Sequence, residues 1–88
     1  MSNIKKECMK VLRRAKGYVT SIDELRAIND IMVSLRNNNG INEFVATVVI
    51  EYIDACFKDE YKQLRMELEK YADKEYLKIT KSIRREEV

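Results

Sequence analysis

The chain contains no proline and only two glycines among its 88 residues. Proline is the strongest helix breaker, and the tight turns between β-strands depend on glycine and proline. A β-sandwich or barrel needs many such turns, whereas two glycines can separate only about three long elements. The sequence therefore predicts an all-α protein built from a few long helices.

Two apolar stripes at helical spacing predict the first two helices. Over residues 3–16 apolar residues recur every three or four positions, and Gly17 suits the left-handed conformation that often ends a helix. Ser21 and Glu24 have the spacing of a capping box, in which each side chain accepts a backbone N–H of the first turn. We expect a second helix to begin there and to end near Arg36.

A third helix is predicted to follow the turn of three asparagines and a glycine at residues 37–40. Residues 42–58 are rich in β-branched side chains, which also favour strands. The polar positions, spaced by four, four, three and four residues, are Glu43, Thr47, Glu51, Asp54 and Lys58. One narrow polar stripe on an otherwise apolar segment is typical of a helix at the centre of a bundle.

From Asp59 onward the apolar residues form a single row at intervals of three or four positions, close to a heptad repeat. We call this row the C-terminal seam. Its members are Tyr61, Leu64, Leu68, Ala72, Tyr76, Ile79 and Ile83. No glycine, proline or turn cluster separates residues 42–58 from this seam, so the pattern predicts one long C-terminal helix.

A continuous C-terminal helix would be about 65 Å long at 1.5 Å per residue, far longer than a compact domain of this size. We therefore expect a three-helix domain whose long third helix pairs with a second chain in a dimer. The alternative is a four-helix bundle with a break near Asp59. In both forms residues 1–88 make one helical domain, with a core over 1–58 and a charged amphipathic helix over 59–88.

The predicted core combines the apolar stripes of the three helices. Its members are Leu12, Ala15, Leu25, Ile28, Met32, Leu35, Phe44, Val48, Val49, Tyr52, Ile53 and Phe57.

Charge is distributed unevenly along the chain. Residues 1–20 hold six basic residues and one acid, whereas residues 41–60 have a net charge of −4. The candidate nucleic-acid-binding residues on one side of the first helix are Lys6, Lys10, Arg13 and Arg14. Such a face can neutralise phosphates and release counterions. An anionic membrane surface and an ordinary solvated face are the alternatives.

The C-terminal seam is also a candidate interface, because tyrosine is enriched where proteins bind one another. The candidate partner or dimer interface residues are Tyr61, Leu64, Leu68, Tyr71, Tyr76 and Ile79. The same side chains could instead form an intramolecular core.

Enzymatic chemistry finds little support in the sequence. There is no histidine, the commonest general base and metal ligand, and no glycine-rich phosphate loop. Cys8 and Cys56 lie on apolar stripes, without a histidine to activate them. The acidic pair Glu51 and Asp54 could hold a metal ion or a proton, but such a pair is more typical of a solvated helix face. We predict a protein with no enzymatic activity, no metal or other cofactor and no small-molecule substrate.

We expect Cys8 and Cys56 to be free thiols, with a single disulfide between them as the alternative. With no secretory apolar segment and no apolar run of roughly 20 residues, we expect a cytoplasmic protein that does not span a membrane.

Part of the chain resembles a ribbon-helix-helix repressor in outline. The resemblance rests on residues 18–22, the helix over 23–36, the Asn/Gly turn and the Asn-Glu-Phe-Val sequence at 42–45. It implies a strand at 18–22 that pairs across a dimer and reads the major groove. That strand would carry no basic residue, and the helices before and after it depart from the pattern, so we assign no family.

We expect a small non-catalytic regulator or inhibitor that covers a surface of a larger protein partner and forms a homodimer. In size and style it is like the regulators that phages and mobile elements encode. The alternative function is a dimeric nucleic-acid-binding transcriptional regulator that uses the basic first helix.

Overall fold

A computed structural model describes residues 3–37 and 41–78 of the chain. Within them lie four α-helices and no strand: α1 (Ile4–Ala15), α2 (Ile22–Asn37), α3 (Glu43–Tyr52) and α4 (Lys62–Leu68). Between α3 and α4 the chain forms a π-helical turn (Ile53–Phe57) and a 3-10 turn (Lys58–Tyr61), and helical structure resumes at residues 74–78. The all-α prediction is confirmed.

The first three helices begin where the sequence predicts, because each starts with a side chain that accepts a backbone hydrogen bond. Asn3, Ser21 and Asn42 each accept from the N–H three residues later. At Asn42 the bond from Val45 is 2.7 Å long. These side chains satisfy amide groups that have no partner inside the helix, which fixes the starting points.

The connection between α1 and α2 differs from the two expectations for it, a left-handed Gly17 and a strand at residues 18–22. Gly17 is not left-handed, because α1 ends in a tighter turn in which Gly17 and Tyr18 donate to the carbonyls of Arg14 and Ala15 at 3.0 and 2.9 Å. Residues 18–21 form no strand, and α2 begins at Ile22. The strand implied by the ribbon-helix-helix resemblance is therefore wrong.

The long third helix is also wrong, and the four-helix alternative is confirmed. The chain turns back at Lys58, which has a φ of 41°, a value that non-glycine residues rarely adopt. We call residues 53–61 the Lys58 bend. Because of the bend, α4 packs on both α1 and α3 of the same chain. Pairing with a second chain stays a prediction.

A second interruption follows α4. The charged helix predicted over residues 59–88 is interrupted after Leu68, where residues 69–73 form a turn before the helical stretch at 74–78. Ile79 and Ile83 lie outside the described residues.

The buried core draws on all four helices and on the segment after α4. Its members are Cys8, Val11, Leu12, Ala15, Ile28, Ile31, Met32, Leu35, Val45, Ala46, Val49, Ile50, Ile53, Phe57, Leu64, Leu68 and Ala72.

Most of the predicted core is confirmed, with one clear error. Leu25, Val48 and Tyr52 are only half-buried, and Phe44 is wrong because 64% of its side chain is exposed. The buried residues of α3 begin one position later, at Val45, and continue with Ala46, Val49 and Ile50.

Candidate functional site

The turn at Lys58 brings the end of α1 against the connection between α3 and α4. There the Arg14 guanidinium lies 4.5 Å from the centre of the Phe57 ring and 5.6 Å from that of Tyr61. It also pairs with the Glu60 carboxylate and donates a hydrogen bond of 2.7 Å to the Tyr61 hydroxyl. Aromatic faces and a charge-assisted hydrogen bond together fix the position of this arginine.

Three aromatic rings continue the same cluster. Phe57 lies between Tyr18 and Tyr61, with centre-to-centre distances of 5.5 Å on both sides and edge-to-face angles of 85° and 76°. This is the geometry that aromatic pairs prefer. Phe57 is buried and Tyr61 half-buried, whereas 61% of Tyr18 is exposed. We call Arg14, Tyr18, Phe57 and Tyr61 the aromatic corner.

A second exposed apolar side chain belongs to the same connection. Ile22 is the first residue of α2, four positions after Tyr18, and 68% of it is exposed. The α1–α2 connection therefore presents two large apolar side chains to solvent.

The basic residues predicted on the first helix divide into two groups. Lys6, Lys10 and Arg13 are exposed on α1, and Lys10 lies 4.0 Å from Glu7. Arg14 is instead held in the aromatic corner. Because positions three or four apart share a helix face, we define Lys6, Lys10 and Arg13 as a basic stripe that runs along α1 toward the corner.

The predicted interface residues of the C-terminal seam do not lie together on one outer surface. Leu64 and Leu68 are buried in the chain's own core, so the intramolecular alternative describes them. Tyr76 is half-buried against that core, whereas 47% of Tyr71 is exposed. Ile79 lies outside the described residues.

Arg14 belongs to the predicted nucleic-acid-binding set and Tyr61 to the predicted interface set, and the structure brings the two together in a hydrogen bond. Tyr18 is not among the predicted site residues. It lies four positions after Arg14, a spacing that places two side chains on the same face of a helix, and this spacing could have indicated it. The contact of Arg14 with Phe57 joins residues 43 positions apart and has no local signal.

Asp54 forms the acidic pair on the third helix together with Glu51, and its carboxylate faces Arg65. The Arg65 Nε and Nη2 atoms donate to the two Asp54 oxygens at 2.8 and 3.0 Å, and Nη1 pairs with Glu69. The hydrogen bonds that Arg65 donates to the Asp54 carboxylate raise the pKa of Arg65 above its ordinary value. This bidentate ion pair ties α4 to the π-helical turn.

Two other groups have raised pKa values. Burial in the core raises the pKa of the Cys8 thiol from 9.0 to about 12, and Cys8 is 0% exposed. Burial and a 3.0 Å hydrogen bond to Glu24 raise the pKa of the Tyr52 hydroxyl from 10.0 to about 12. Both groups are therefore held in their neutral, protonated form.

We expect the free energy of unfolding to fall as pH rises from about 9 to 12. The folded chain keeps the Cys8 proton up to about pH 12, whereas the unfolded chain loses it near 9.0, so the unfolded state binds fewer protons in this window. One such group gives a slope of at most about 1.4 kcal/mol per pH unit. Urea unfolding at a series of pH values measures this slope. A Cys8→Ala variant should show a flatter profile between pH 9 and 10, and an identical profile would contradict the assignment.

Other large apolar side chains are exposed singly on other elements. They are Val33 on α2, Phe44 on α3 and Met66 on α4, with 51, 64 and 66% exposed. An open groove beside Met66 is lined by Lys62, Gln63, Glu67 and Lys70. Single exposed apolar residues are normal on protein surfaces, so these sites provide comparisons for the corner.

No family model, curated protein or solved structure matches the chain. Within residues 3–37 and 41–78, no three histidine, cysteine or acidic side chains are grouped to hold a metal ion. In the same part of the chain, no helix combines the length and apolar character needed to cross a bilayer.

Proposed function

We propose that this chain is a small non-catalytic regulator that binds a larger protein and covers part of its surface. The observation that carries the proposal is Tyr18, a mostly exposed ring that packs edge-to-face against the buried Phe57. The contact surface consists of the aromatic corner and Ile22.

The composition of this surface supports binding to a protein. Tyrosine and arginine are enriched among the residues that dominate binding energy at interfaces. Tyrosine brings a large apolar area together with a polar hydroxyl. Because Phe57 already positions the Tyr18 ring, binding costs less ordering entropy than it would for a freely rotating side chain.

The charge beside the corner indicates the character of the partner. Lys6, Lys10 and Arg13 approach the corner along α1. A complementary partner has an apolar pocket for Tyr18 and Ile22, with acidic residues along one side of that pocket. Such charges mainly speed association and select the partner, while the apolar anchors supply most of the affinity.

A second candidate function is binding to duplex nucleic acid through the exposed basic stripe, as the three cations could contact phosphates. Arg14 contributes less to this function than the sequence predicts, because Glu60 already neutralises its charge.

The test is affinity capture from a nuclease-treated lysate of the cells that encode the chain. Three baits are compared: the natural chain, Tyr18→Ser/Ile22→Ser, and the control Val33→Ser/Phe44→Ser, which removes two comparably exposed apolar side chains elsewhere. Circular dichroism establishes that all three are folded.

We expect one protein to be retained in near-equimolar amount by the natural chain and the control. The corner variant should bind it at least about tenfold more weakly, as expected for the loss of two anchor side chains. Equal retention by all three baits would contradict the proposed surface. Binding that is seen only in a parallel lysate without nuclease would assign the basic stripe to nucleic acid instead.

A further inference from the structure

The Lys58 bend is locally strained. Lys58 has φ 41° and ψ −106°, a combination outside the regions that L-residues favour. A π-helical turn precedes it and a 3-10 turn follows it, and both are less favourable than the α-helix. Strained backbone of this kind persists only where the surrounding packing holds it.

The sequence through the bend is nevertheless suited to a continuous helix. No proline or glycine occurs after Gly40. One row of buried and half-buried residues keeps helical spacing from α3 to α4 without interruption: Ala46, Ile50, Ile53, Phe57, Tyr61, Leu64 and Leu68. Straightened, residues 43–68 would form a helix about 39 Å long with one continuous apolar face.

The contacts that hold α4 in place can all be made by a second copy. Leu64 and Leu68 are buried where α4 packs on α1 and α3, and Arg65 binds Asp54 in the π-helical turn, on the α3 side of Lys58. None of these interactions depends on α4 following directly from its own α3.

We propose that two copies of the chain exchange α4. In the exchanged dimer the Lys58 bend straightens in both chains, and the α4 of each copy occupies the site on α1 and α3 of the other. In the exchanged dimer α4 makes the same packing contacts with α1 and α3 as in the monomer. The free energy gained by relieving the strain at two bends therefore offsets part of the free-energy cost of association. The partner is a second copy of this chain. The exchange alters the aromatic corner, because Phe57 and Tyr61 lie in the bend, so the monomer is the form that presents the contact surface proposed above.

The first experiment measures the monomer–dimer equilibrium by analytical ultracentrifugation of the full chain. Lys58→Gly removes the strain in the bent form, because glycine adopts positive φ freely. It also disfavours the straight helix. We expect the dimer dissociation constant to rise by about thirtyfold or more, since two bends contribute to each dimer. The control Gln63→Gly lies in the exposed part of α4 in both forms and should change the constant by less than about threefold.

The second experiment identifies which chain supplies α4. Asp54→Arg and Arg65→Asp each place like charges together in the bent monomer. In an exchanged heterodimer, the arginine introduced at position 54 of the first variant meets the aspartate introduced at position 65 of the second. The natural Asp54 and Arg65 meet across the other half. Mixing the two variants should therefore yield a heterodimer at concentrations where each variant alone stays monomeric.

Two results would overturn the proposal. The first is a natural chain that stays monomeric up to about 1 mM, the dissociation constant of a very weak complex. The second is a dimer that Lys58→Gly does not weaken more than Gln63→Gly and that the charge-reversed pair does not restore, because such a dimer forms through surface contact alone.

Discussion

Replacing Leu68 with alanine is expected to lower the free energy of unfolding by about 3 kcal/mol. Leu68 ends α4 and is 0% exposed in the core. The substitution leaves a cavity that neighbouring side chains fill only in part. For a domain of this size the melting temperature should fall by roughly 15 °C.

Chemical denaturation in dilute solution, followed by circular dichroism, measures the change. Met66→Ala is the matched control, because Met66 lies on the same helix with 66% of its side chain exposed, and it should cost less than about 0.5 kcal/mol. If Leu68→Ala left unfolding unchanged and only dissociated a dimer, the seam would be intermolecular and the packing of α4 on its own chain would be wrong.

Replacing Arg65 with methionine is expected to cost about 2 kcal/mol of stability. The side chains of Arg65, Asp54 and Glu69 are 13, 18 and 34% exposed, so removing the cation leaves a largely buried Asp54 carboxylate without its bidentate partner. Fully buried pairs lose about 3–5 kcal/mol in this way, and partial exposure reduces the loss.

Two comparisons make this second experiment specific. The double variant Asp54→Leu/Arg65→Met should recover most of the loss, since the largely buried carboxylate is also removed and only the more exposed Glu69 has lost its partner. Arg14→Met breaks the more exposed pair with Glu60, whose side chains are 44 and 52% exposed, and should cost no more than about 1 kcal/mol. A larger loss at Arg14 than at Arg65 would contradict the view that the Asp54 pair anchors α4.

Local signals were sufficient to predict the helix starts and the cores of α1 and α2. Asn3, Ser21 and Asn42 cap neighbouring amides, and Ile28 and Leu35 follow from helical spacing. These features depend on residues within one or two turns, where sequence and structure are directly linked.

The Lys58 bend lacked such a signal, because a lysine occupies a position that usually requires glycine. The bend is held by distant contacts, namely Arg14 on the corner and Arg65 on Asp54. The same applies to Phe44, whose exposure depends on which face of α3 the other helices cover.

The candidate site was predictable only in part for the same reason. The exposed cations of the basic stripe follow from the pattern of α1. The aromatic corner combines residues 14, 18, 57 and 61, and only the folding back of the chain brings them together.

The aromatic corner, formed within one chain by the turn at Lys58, is the basis of the proposed function. The most direct test is a nuclear Overhauser experiment on a dilute sample, with a mixture of labelled and unlabelled chains to separate contacts within and between molecules. The chain has only two phenylalanines, so the Phe57 ring can be assigned. We expect intramolecular contacts from Phe57 to both Tyr18 and Tyr61, whose ring centres lie 5.5 Å away. Contacts to Tyr61 without any to Tyr18 would contradict this expectation, because α1 would then not pack against the bend.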